Sequence, residues 1–99
     1  MSQIALKAEF STAINPDEVR RVVDSALRHE ADLAEHRRSY FEQQCSVFEK
    51  KYQMASDDFM ERFESGVLGD DAEYFDWYAA KRGLDLWARR LRILVGIQV

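Results

Sequence analysis

Between Pro16 and Gly66 the chain contains neither glycine nor proline, and through that stretch apolar side chains recur every three or four residues. Val19, Val23, Leu27, Ala31, Ala34, Phe41, Cys45, Phe48 and Tyr52 fall on one helical face, broadened by Val22, Ala26, Leu33, Tyr40 and Val47. The start is well marked. Asn15 is a favoured N-cap, Pro16 occupies the first helical position where a missing N–H costs nothing, Asp17 meets the positive end of the dipole, and Glu18 is spaced to close a capping box. A first helix over residues 16–53 follows, roughly 55 Å long at 1.5 Å per residue. In a single domain of 99 residues such a helix must bury its stripe on other elements or on a second copy.

Residues 52–77 contain the next two helix starts. Ser56 followed by Asp57 and Asp58 reads as a cap with two carboxylates in the first turn, so a short helix is expected over 57–65, with Phe59, Met60 and Phe63 as its apolar stripe. Gly66 supplies the left-handed residue that closes it. About two and a half turns do not persist alone, so this helix has to be held by its phenylalanines. Asp70, with Glu73 three residues on, has the spacing of a capping box and predicts a third helix over 71–95. Trp77, Ala80, Leu84, Trp87, Leu91 and Leu94 give that helix a seam suited to antiparallel packing on the first. Gly83 lies inside it at a cost of about 1 kcal/mol against alanine, which a close helix crossing would justify.

Ahead of these helices Ile4, Leu6, Ala8 and Phe10 alternate, as in a half-buried strand, although no hairpin partner follows; a second copy, another protein or the C-terminal ILVGIQV would have to pair with it. An N-terminal arm over 1–14 is the other reading. The predicted fold is therefore mainly all-α: one domain over 1–99 built as a long helical hairpin with a short intervening helix and a short N-terminal strand or arm. It is expected to dimerise through the long helix and that strand.

Charge is segregated. Residues 57–76 carry eight acids and one base, whereas 77–99 carry five bases and one acid. Helix dipoles account for part of this, and the remainder predicts an acidic surface that steers a basic partner. A single cysteine excludes an internal disulfide and a cysteine-based zinc site. Cys45 lies on the apolar face, where a thiol acts as a small hydrophobe. His29, Asp32 and His36 share a helix face, but no second cluster completes a metal site. With no phosphate loop and no nucleophile beside a base, neither an enzyme nor a cofactor is expected. MSQIALK has no signal-peptide character and no run approaches membrane-spanning length, which predicts a cytoplasmic chain.

The segment KKYQMASDDFMERFESGVLGDDAEYFDWYAAKRGL resembles a family of small helical proteins encoded beside toxins in bacterial and archaeal toxin–antitoxin loci. The likeness spans roughly residues 41–95 and rests on Phe48, Lys51, Tyr52, Met54 and Phe59, then Phe63, Gly66, Leu68, Gly69, Asp70 and Asp71, then Phe75 and Trp77; Ala55 stands where serine is common. It implies an antitoxin that binds a cognate toxin, such as a nuclease with a basic site. Asp70, Asp71, Glu73, Phe75, Asp76 and Trp77 are the expected contact residues. The alternative is a self-associating structural or adaptor protein with no toxin partner. A ribbon–helix–helix DNA regulator is disfavoured, because the N-terminal segment offers only Lys7 against Glu9 where phosphate and base contacts need donors.

Overall fold

The structure, a computed structural model, describes residues 13–99. It contains three helices: α1 (Pro16–Tyr52), α2 (Ser56–Glu64) and α3 (Ala72–Gly96). No strand occurs among the described residues, and the expected strand over 3–10 lies outside them. The C-terminal residues that were one candidate to pair with it stay helical to Gly96.

The α1 start is as its sequence predicts: Asn15 Oδ1 accepts the Asp17 N–H at 2.8 Å, with Pro16 opening the helix. Its stop is not marked by any usual breaker. Gln53 takes a left-handed conformation, φ 51°, and its N–H and that of Met54 both point to the Glu49 carbonyl. α2 ends as expected on Gly66 at φ 80°, where the Gly66 and Val67 N–H groups bond back to the carbonyls of Phe63 and Arg62. The cap of α3 lies one residue later than predicted. Asp71, not Asp70, accepts the Glu73 N–H, at 2.9 Å, which frees the Glu73 carboxylate for a different partner.

α3 runs antiparallel to α1, with Tyr74 beside Tyr52, Gly83 at the level of Phe41 and Trp87 under Arg37. Gly83 marks a close crossing: a Cβ built there would stand 2.8 Å from the Phe41 ring. Because α1 has 37 residues against 25 in α3, its first turns run on past the end of α3, and the molecule measures 62 × 22 × 22 Å.

α2 packs across the hairpin at its closed end. Trp77 and Phe59, both fully buried, stack with ring centroids 3.9 Å apart and planes inclined by 8°. Phe48 and Tyr52 lie near-parallel to the same indole at 5.7 and 5.6 Å, and buried Cys45 and Ala80 complete the core. Here one sequence expectation is corrected. Ser56 does not cap α2; its hydroxyl accepts the Trp77 indole N–H at 2.9 Å, and the Glu49 carboxylate, reaching from α1, accepts the Ser56 N–H at 3.0 Å. No buried side-chain nitrogen or oxygen among the described residues lacks a partner. Lys81 on α3, only 13% exposed, adds a charged tie to Asp57 of α2 at 3.1 Å and to Asp85 at 2.6 Å. Burial opposes its charge, but the bonds to Asp85 and Asp57 outweigh that and hold its pKa above the usual lysine value.

Deleting the indole removes the stack, and deleting the hydroxyl strands a buried donor. We expect Trp77→Ala to cost about 3–5 kcal/mol and Ser56→Ala about 1–3 kcal/mol in urea unfolding. An unchanged midpoint for Ser56→Ala would mean that the Ser56–Trp77 bond contributes nothing.

Candidate functional site

The acidic cluster is displayed by the turn from α2 into α3. Asp70, Asp71, Phe75 and Asp76 are exposed, Glu73 is half-buried, and Trp77 is fully buried. Trp77 therefore offers no surface to a partner. The expectation that it contacts one is corrected, because its ring and its N–H are both used within the core.

The remaining expected contact residues divide by what they touch. Asp71 is committed to the α3 cap. Glu73 turns toward α1, where Lys51 Nζ approaches it at 2.5 Å and the Tyr52 hydroxyl donates to the same carboxylate. The bond from Lys51, then that from Tyr52, hold the Glu73 pKa below the usual range, while Glu73 pushes the Tyr52 hydroxyl upward. Phe75 stands edge-on to Phe63 at 5.3 Å and remains 56% exposed. Asp76 borders an open groove of about 270 Å³ between α1 and α3, across from Tyr40 and Gln44, with Phe41, Phe48, Ala79 and Ala80 as its other walls.

Asp70, Phe75 and Asp76 are thus free to meet another molecule, and exposed Val67 joins them at the tip. Val67 was not among the residues expected to do so; its position directly after the Gly66 helix stop was the available signal. Tyr40 and Gln44 were legible only as the edge of a helical stripe.

Burial raises the Cys45 pKa, so the thiol remains protonated in the core. Among the described residues no three His, Cys, Asp or Glu groups converge on a point where an ion would sit. No helix among them is long and apolar enough to cross a membrane. Comparison with protein families, with curated proteins and with solved structures finds no match for this chain.

The Glu73 pairing makes an acid-limb prediction. A carboxyl whose pKa is lower folded than unfolded stabilises the fold fully above its ordinary value, 4.5, and loses that contribution as pH falls through the folded value. Thermal melts taken from about pH 7 down to about pH 3 should therefore fall less steeply for Glu73→Gln than for wild type. Parallel curves would show that the contacts with Lys51 and Tyr52 add no stability.

Proposed function

We propose that this chain is an antitoxin-like protein that binds and neutralises a cognate toxin, such as a nuclease, in the cytoplasm, presenting the acidic turn between α2 and α3 to a basic active site. The observation that carries this reading is that residues 57–76 hold eight acids and one base, of which Asp57 and Glu73 pair with Lys81 and Lys51 and the exposed Asp70 and Asp76 stand beside exposed Phe75 and Val67. Clustered charge raises the rate at which an oppositely charged partner docks, and exposed apolar side chains inside the charged rim supply contacts that outlast the encounter. The likeness of residues 41–95 to antitoxins supports the same reading. It casts the protein as a binding module rather than an enzyme.

A second reading, a self-associating adaptor that meets no toxin, is favoured by a different observation. Tyr40, Val47, Leu86 and Ile93 are all more than half exposed along the hairpin. The two readings meet at Asp76, which borders the groove beside Tyr40.

The test is stopped-flow association with the product of the neighbouring gene. Asp71 caps α3 and Asp76 borders the groove beside Tyr40, so charge is reversed at exposed Asp70 instead. Asp70→Lys should lower the on-rate by roughly threefold or more at low salt, with the melting temperature preserved. Added salt should slow wild type itself, since screening acts over about 10 Å at 0.1 M ionic strength. An on-rate indifferent to both changes would remove the acidic turn from recognition.

A further inference from the structure

We propose that two copies of this chain pair face to face and antiparallel, about a two-fold axis at the level of Tyr40 and Gly83. This deepens the self-association reading and does not depend on a toxin. The side of the hairpin opposite α2 is where Tyr40 and Gln44 of α1 face Asp76 and Ala79 of α3 across their groove. Seven-residue steps, two helical turns, return to the same side of a helix. From Tyr40 they lead to Leu33 and Val47, and from Ala79 to Leu86 and Ile93. Tyr40 is 58% exposed, Val47 62% and Leu86 52%, so apolar side chains of both helices lie open beside this groove.

The occupant is identified by the symmetry of that face. Leu33 and Val47 lie seven residues either side of Tyr40, and Asp76 and Arg90 lie seven residues either side of Gly83. Gly83 meets the ring of Phe41, the residue next to Tyr40, so the two centres share one level along the hairpin. A two-fold axis in the plane of the face and perpendicular to the helices lays α1 on α1 and α3 on α3, each reversed. That operation sets Leu33 of each copy over Val47 of the other, Leu86 near Ala79, and Asp76 over Arg90. Self-complementarity of one patch is what an isologous dimer requires.

Charge points the same way. Among the described residues neither Asp76 nor Arg90 has an ion-pair partner within its own chain. Arg90 is instead held over the Trp87 ring at 4.9 Å. On a larger scale, the acidic end of one molecule comes to lie toward the arginines 89, 90 and 92 of the other, whereas a parallel pair would set acid against acid. Asp70 and Phe75 at the tip stay clear of the centre of this interface.

The test is sedimentation equilibrium of the full chain alone. Wild type is expected to be a dimer at micromolar concentration. Tyr40→Glu and Leu86→Glu should each yield a monomer that keeps the wild-type helical circular-dichroism signal at room temperature, since both side chains are already more than half exposed. Asp76→Arg and Arg90→Asp should each weaken the dimer about tenfold or more, because each sets like charges against one another, and the doubly reversed chain should regain wild-type affinity. A monomer at high micromolar concentration, or a dimer untouched by either glutamate, overturns the proposal. A doubly reversed chain weaker than both single variants overturns the antiparallel register.

Discussion

The closed end of this molecule depends on the burial of one indole. Trp77 is stacked against Phe59, flanked by Phe48 and Tyr52, and hydrogen-bonded through its N–H to Ser56, so a single side chain of α3 contacts both other helices. α2 has nine residues, too few to remain helical without tertiary support, and its first turn is held from outside. Glu49 of α1 accepts the Ser56 N–H, and the Ser56 hydroxyl accepts the indole N–H of Trp77 from α3. An indole N–H buried without an acceptor would oppose the very stacking that buries it, and Ser56 removes that penalty.

The placement of the acidic turn follows from this. With α2 fastened across the hairpin, the chain must leave it through Gly66 and re-enter at Asp71, and the intervening residues are displayed at the tip. Glu73 then reaches back to Lys51 and Tyr52, tying the first turn of α3 to the last turn of α1, while Asp70, Phe75 and Asp76 are left outward. Farther along, the missing side chain at Gly83 lets the Phe41 ring lie against the α3 backbone, which brings the two long helices close together. The stabilised core and the surfaces offered to other molecules thus occupy different sides of the same two helices.

How much of this was legible in the sequence depended on how local the cause was. The Asn15–Pro16 start, the Gly66 stop and the seam from Trp77 to Leu94 are set by neighbours a few residues away, and they stand where their pattern put them. Gly83 was readable as a close crossing because a mid-helix glycine is costly without one. Ser56 was misread because capping and buried hydrogen bonding use the same hydroxyl, and only the fold brings Trp77 to it across 21 residues of chain. Asp70 and Asp71 are chemically equivalent caps, so spacing to Glu73 chose the wrong one once the glutamate had a distant partner. Trp77 was assigned to a partner surface on account of its acidic neighbours, although its place in the seam already argued for the core. Gln53 gave no signal, since a left-handed glutamine is dictated by the turn into α2 rather than by its own preference.

The central claim is that α2 exists as a helix only because Trp77 holds it, and native-state hydrogen exchange tests this residue by residue. In wild type the amides of residues 60–64 should be protected to nearly the same degree as those around Trp77 in α3. In Trp77→Ala they should exchange at close to the unfolded rate, while the α1–α3 pairing around Ala34 and Leu91 retains its protection. If α2 stays protected without the indole, the short helix is held by something else, and the account of this end of the molecule is wrong.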